Sequence, residues 1–422
     1  MNSENTTIAD HSLPPVSTPV VSRRAVFFIG GYDPKSADSF FDRLDREAER
    51  FEDLWDVETR IDDRVRVSAN ITRQTRRLTD PQNRWDVETD FNFVCLDSIV
   101  QRDFDRPLQE RVWRYLKTFA DYNLTGTGFA FMHHAWRFWF YFMYPFTMLA
   151  LGFVVSLVLG LLIATSGVVL AWLTAPIFFA IAMTSFIKLV AKPYFVFHLM
   201  DLWSFSADVI HQRRPDMDVI FDELAEAVAA TPTHYDEIIL VGHSTGGALI
   251  LEAAARALDR NPDLAGRENR FWIMTVGSTS LKVGLHPDAQ WYRDHVNFAL
   301  SRSNAQWVEY QCQSDIINFS RTNPAKLMGF DRTEPPHFKR FGLRVKRMVS
   351  SQTYQRIKRN FFRVHYQFVF GNTRRYFYDF PAICFGPAQL ALRVAQPEGF
   401  NKHLHPGLPD AADRDDEQDD RK

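Results

Sequence analysis

Ser244 lies in Gly242-His243-Ser244-Thr245-Gly246-Gly247, between the apolar run Glu237-Ile238-Ile239-Leu240-Val241 and the helical pattern of Ala248 to Leu258. A serine hydroxyl is too weakly acidic to attack an ester unaided. A fold must therefore hold it proud of the backbone, beside a base and a site for the oxyanion. A sharp strand-to-helix turn does this and needs small residues around the serine. Gly242 and Gly246 lie two residues either side of Ser244, where a side chain would collide with a neighbouring strand or helix, and Gly247 relieves the crowding further. Between Ala248 and Leu258 only Glu252 and Arg256 are polar, the pattern of a helix pressed against a sheet. His243, just before the nucleophile, is expected to point away from the reaction centre.

With this motif the chain resembles the α/β-hydrolase superfamily, whose members commonly carry G-H-S-x-G-G at this turn. The resemblance implies a mostly parallel sheet flanked by helices and a triad in the chain order serine, acid, histidine. An acid just past a late strand then orients the histidine. Gln306 to Cys312 reads as that strand and Asp315 as the acid, with Asp331 as the alternative. Four histidines follow Asp315. His403 and His405 lie near a polar tail that gives a base nothing to hold it in place, and His337 follows two prolines in a basic loop. His365, in the aromatic-rich segment Phe361 to Phe368, is the expected base, with His337 as its alternative.

The oxyanion needs two backbone N–H groups. Thr245 supplies one. Ala25 to Ile29 reads as a buried strand ending in Gly30-Gly31-Tyr32-Asp33, so Gly31 and Tyr32 are the candidates for the other. The family's more recognisable loop has a histidine before its glycines, where this chain has Ile29. Ser278, after the strand-like Phe271 to Val276, is expected to line the pocket. Phe40, Phe41, Leu44, Ala48, Phe51, Leu54 and Trp55 recur at three- and four-residue spacing, which predicts an amphipathic helix packed on the sheet.

From Phe138 to Ile187 there are 50 consecutive positions without Asp, Glu, Lys, Arg or His. That is more than twice the roughly 20 residues needed to cross a bilayer. It predicts a membrane hairpin over 136–192, with helices Phe138 to Ala164 and Val168 to Ile187 and a turn at Thr165-Ser166-Gly167. Trp136, Trp139, Tyr141 and Tyr144 crowd its entrance, where amphipathic rings favour headgroups. Arg137, Lys188 and Lys192 make both flanks basic, which places both ends, and the catalytic domain, on the cytoplasmic face, as in a bacterial inner membrane. The hairpin divides the hydrolase core into 23–135 and 193–400. The eleven basic residues and absent acids of 335–378 suggest docking on anionic headgroups.

With 49 basic and 51 acidic residues, net charge argues against a nucleic-acid partner. Cys95, Cys312 and Cys384 are too few for a disulfide scaffold. Residues 1–22 and the acidic 401–422 read as disordered. No cofactor is required and no metal is expected, since the adjacent His133 and His134 lack the spacing and carboxylates of a metal site. The reading is a membrane-anchored serine hydrolase acting on an apolar or lipid ester or thioester. The same triad would serve a thioesterase or peptidase, and a catalytically silent membrane adaptor is the reading from another class.

Overall fold

The computed structural model describes residues 21–80, 85–166, 171–331 and 337–397. The expected polar lead-in up to residue 20, the acidic tail 401–422, Gly167 of the hairpin turn, His403 and His405 lie outside the described residues.

In the first half of the chain, β1 (Arg23–Ile29) is followed by α1 (Ala37–Trp55), β2 (Glu58–Arg66), β3 (Ile71–Thr79) and β4 (Asp86–Val94), then α2 (Asp97–Phe104), α3 (Leu108–Leu124) and α4 (Thr127–His134). Two long apolar helices come next, α5 (Trp136–Ala164) and α6 (Ala171–Phe186), and then α7 (Val196–Ile210) and α8 (Pro215–Ala229). The second half alternates as β5 (Glu237–His243), α9 (Gly246–Arg260), β6 (Phe271–Val276), α10 (Leu281–Gly284), α11 (Gln290–Ser301), β7 (Gln306–Cys312) and β8 (Phe338–Leu343). The eight strands form one sheet in the order β2-β3-β4-β1-β5-β6-β7-β8. The five pairings from β4 to β8 along that order are parallel, while β2, β3 and β4 pair antiparallel.

Strand alternation sends β1 side chains to two separate cores. Ala25, Phe27 and Ile29 join one with α7, α8 and α9, and Val26 and Phe28 join the other with α1. Helices on both faces explain why β5 and β6 are fully buried and read as continuous apolar runs. Helix α1 begins where the Ser36 hydroxyl accepts the Ser39 N–H, and it buries Phe40, Phe41, Leu44, Ala48, Phe51 and Trp55 as the spacing predicts. Burying each such ring or leucine contributes about 1.5–3 kcal/mol. Where β1 and β5 begin, the wholly buried Arg24 and Glu237 pair at 2.6 Å, and Arg24 also donates to the Gly386 and Ala388 carbonyls.

Helices α5 and α6, the latter extended by a π-helical turn to Ala191, are long and apolar enough to cross a membrane. Of the most apolar window of each, 17% is buried in α5 and none in α6, the reverse of a core helix. They pack where small residues allow close approach: Gly160 lies against the Ala175 carbonyl and Gly152 against the Phe186 ring. The first turns of α5 belong to the α/β core, because Phe138, Tyr141 and Phe142 are buried there, with the Phe138 ring 3.9 Å from that of Phe319. Arg137 also donates to the Gln313 carbonyl at 2.6 Å.

The hairpin is therefore removable only above its root. Replacing residues 153–185 by a short glycine-serine bridge, where Gly152 meets Phe186, should yield a folded protein in the soluble fraction with a cooperative melt. Excising 138–187 should give aggregates, since each buried aromatic lost costs about 3–5 kcal/mol. Size-exclusion chromatography with circular dichroism compares them. Equal behaviour of the two deletions would refute the assignment of the root to the core.

Candidate active site

The β5–α9 turn has the geometry that lifts a side chain clear of its sheet. Ser244 has φ +58°, a left-handed conformation that is strained for a residue with a Cβ. Three backbone bonds hold it there. The Ser244 N–H donates to the Val276 carbonyl at 3.2 Å, and the Ser244 carbonyl accepts from Gly247 and Thr279, each at 3.0 Å. The glycines are small for a packing reason. A Cβ on Gly246 would stand 2.2 Å from the Ile29 carbonyl oxygen, one on Gly242 would stand 2.5 Å from the Gly246 carbonyl oxygen, and one on Gly247 would meet Ser278 Oγ at 2.2 Å.

Asp315 lies just past β7, and His365 lies on the short helix Phe361–Tyr366, 50 residues later. His365 Nδ1 and Asp315 Oδ2 are 2.7 Å apart, with both side chains buried. Asp315 Oδ1 accepts the Ile317 N–H at 2.9 Å, and Asn318 ties the same loop to the Cys312 and Asp315 carbonyls. A carboxylate can only accept, so Nδ1 carries a proton and Nε2 of the neutral ring offers its lone pair. Among the described residues that buried Nε2 has no hydrogen-bond partner. His365 and Ser244 line one cavity of about 40 Å³, together with Gly31, Tyr32, Thr245 and Tyr141 of α5. Catalytic hydrogen bonds are often long or misaligned without substrate and tighten when it binds.

Gly31 lies against the serine: a Cβ on it would be 3.4 Å from Ser244 Oγ. The Tyr32 ring is buried against Phe205, and its hydroxyl donates to Asp103 Oδ2 at 2.9 Å. Asp103 in turn pairs with Arg214 at 2.7 Å. The side chain thus anchors the loop, leaving the backbone of Gly31 and Tyr32 beside Ser244. Ser278 is buried behind the turn, where its hydroxyl accepts the Ser280 N–H.

The alternatives for acid and base lie elsewhere. Asp331 exchanges hydrogen bonds with the Asn297 side chain, and the His337 carbonyl accepts from Trp307 at the start of β7. His243 does not turn away. Its ring centroid lies 4.6 Å from that of His365, and its Nε2–H donates to the His365 carbonyl at 3.2 Å. Burial, then the nearby His365, push its pKa well below the ordinary value, so it is a neutral strut for the helix that carries His365.

Lys282 of α10 escaped the sequence reading. Its buried Nζ donates to Thr245 Oγ1 at 3.1 Å and faces the Trp203 ring at 5.3 Å. Burial alone lowers its pKa to about 7. The available signal was that Lys282 is the one charged residue between Phe271 and Leu285.

Asp121, His211, His286 and Asp288 each bring one potential ligand atom within 4.8 Å of the others. They close on themselves instead. His286 Nδ1 accepts the Asp288 N–H, which puts its proton on Nε2, 3.4 Å from Asp121 Oδ2, while His211 Nε2 meets the same carboxylate at 2.9 Å. A metal at His286 would need that proton moved to Nδ1, against the Asp288 N–H. No protein-family model, curated protein or solved structure matches this chain.

Two measurements test the site's packing and charge. Gly246→Ala should cost at least ~3 kcal/mol, because the Cβ meets backbone that cannot rotate away; denaturant melts read this. For Lys282, the unfolded amine titrates near 10.5 and the folded one near about 7. Between those values the unfolded chain binds more protons, so wild-type stability rises with pH through that window. Lys282→Met should therefore gain most over wild type below pH 7, the gain shrinking toward pH 10.5. A difference in melting temperature that is flat with pH would contradict a neutral buried amine.

Proposed function

We propose that the chain is a serine hydrolase of α/β-hydrolase type, anchored in a membrane by α5 and α6. Ser244 Oγ attacks an ester or thioester carbonyl while His365 Nε2 takes its proton and returns it to the leaving group. Asp315 orients the ring and stabilises its protonated form. Thr245, with Gly31 or Tyr32, donates backbone N–H groups to the oxyanion, and water then releases the acyl group from Ser244. The observation that carries this reading is an Asp315-bound histidine whose Nε2 has no partner among the described residues, in the same cavity as a serine held at positive φ. A silent adaptor has no use for that combination of strain and a buried unsatisfied nitrogen.

An apolar, lipid-like ester is the substrate class best supported, because α5 is both a bilayer-length helix and a wall of the cavity through Tyr141. Phe362, also in the cavity wall, packs at 4.8 Å on the exposed ring of Phe195 just beyond the hairpin. Arg137, Lys188 and Lys192 at the hairpin ends favour a cytoplasmic site.

A fluorophosphonate probe applied to membranes holding the full chain should label Ser244, and Ser244→Ala should abolish labelling. His365→Ala and Asp315→Asn should each slow it by roughly 10³-fold or more, following other serine triads. Wild-type protein that stays unlabelled while other serine hydrolases react would end the proposal.

A further inference from the structure

Arg43 of α1 holds a positive charge that its surroundings do not answer. Its guanidinium carbon lies 5.0 Å from the ring centroids of both Phe40 and Phe370 and 6.0 Å from that of Tyr366. Among the described residues no carboxylate or carbonyl is hydrogen-bonded to it; only burial and longer-range charges act on it, and burial holds its pKa below the ordinary value. The acids within electrostatic reach are committed to other groups. Asp33 pairs with Lys35 at 2.7 Å and accepts from the Tyr366 hydroxyl, while Glu47 pairs with Arg50 at 3.1 Å and accepts the Gly371 N–H at 3.1 Å. Arg363, over the Phe370 ring at 4.3 Å, adds a second positive charge nearby.

Arg43, Lys35 and the Gly30-Gly31 backbone line a cavity of about 30 Å³ over an apolar floor that includes Phe28 and Phe93. That is room for about two waters or one compact acidic group. The cavity shares Gly31, Asp33, His243 and Tyr366 with the one that holds Ser244 and His365. Of the charged groups lining it, Lys35 cancels Asp33 and Arg43 is left over.

We propose that this cavity is an anion subsite in which Arg43, assisted by Lys35, binds a carboxylate or phosphate carried by the ester that Ser244 attacks. The proposal rests on the hydrolase reading for the position of the ester. A guanidinium presents a planar fork of donors that matches either acid, and a desolvated one gains most when an anion arrives. The substrate class is thereby narrowed from any apolar ester to an acidic one, with the apolar chain on the aromatic floor and hairpin side.

The test uses the full chain in detergent. Octyl phosphate, octanoate and octanol, below their micelle concentrations, are titrated calorimetrically into wild type, Arg43→Met and Arg43→Gln, with circular dichroism verifying that each variant is folded. At least one anion should bind wild type roughly tenfold or more tightly than octanol, and either substitution should remove that advantage. Whether phosphate or carboxylate binds better identifies which acid the substrate carries. Among 4-nitrophenyl esters, the ratio of kcat/KM for the adipate half-ester to that for hexanoate should fall about tenfold in Arg43→Met. Anions binding no better than octanol to wild type, or binding both variants as tightly as wild type, would overturn the subsite even if Ser244 labels normally. Anion binding through Arg43 without Ser244 labelling would overturn only the hydrolase reading.

Discussion

The site depends on how closely the first turn of α9 approaches the end of β1. Gly246 lies so near the Ile29 and Gly30 carbonyls that even a methyl group would overlap both. That contact is possible because β1 and β5 are parallel neighbours in register, with Ile29 opposite Gly242. Parallel pairing brings the loops after both strands to one edge of the sheet. Here those loops are Gly30 to Lys35 and Ser244-Thr245. The chain leaves β1 toward β4 on one side and reaches β5 on the other, which makes this edge the switch point where open α/β sheets place ligands. The ion pair of Arg24 with Glu237 fixes the same two strands where they begin.

The second support comes from the hairpin. Asp315 is held by its own loop, but that loop is also clamped from outside by Arg137 on the Gln313 carbonyl and Phe138 on Phe319. Tyr141, one turn further along α5, closes the cavity. The bilayer-length helix is therefore continuous with a wall of the site rather than joined to it by a linker. A displacement of α5 along its axis is transmitted to Asp315 through packed rings and a charge-assisted bond, which resist it far more than a flexible tether would.

The legible parts of the sequence were those where one physical demand dominates. Strands β1, β5 and β6 are buried on both faces and so read as apolar runs, and Ser244 announced itself through glycines that steric contact requires. His365 was found because the implied chain order left few histidines and only one of them had apolar neighbours to hold it. Strands β2 and β3 were missed because Glu58–Arg66 and Ile71–Thr79 are crowded with charge; β2 is the edge of the sheet and largely exposed, where charge protects against stray pairing. That Phe138, Tyr141 and Phe142 also pack in the α/β core was not legible for the opposite reason: a bilayer and a protein core ask for the same residues, and only the contacts separate them. His243 and Arg43 left no local signal, since what matters about each is the partner it meets or lacks.

Two basic side chains flank the turn and the loop that surround Ser244. Lys282 stands behind Thr245 and reaches its hydroxyl, and Arg43 lies beyond Gly31 in the adjoining cavity. The two candidate oxyanion donors thus have a desolvated basic side chain behind each. Neither forms an ion pair among the described residues, and burial lowers the pKa of both. Keeping a lysine as buried as Lys282 costs stability, and a fold under no functional demand would replace it with an apolar residue of similar size. On the proposed chemistry, negative charge developing at Ser244 would meet groups already in place, without the reorganisation water would need. The two differ in reach. On the proposed chemistry Lys282 would act through Thr245, on the charge common to every acyl transfer, whereas Arg43, which borders space a substrate can enter, would distinguish one ester from another.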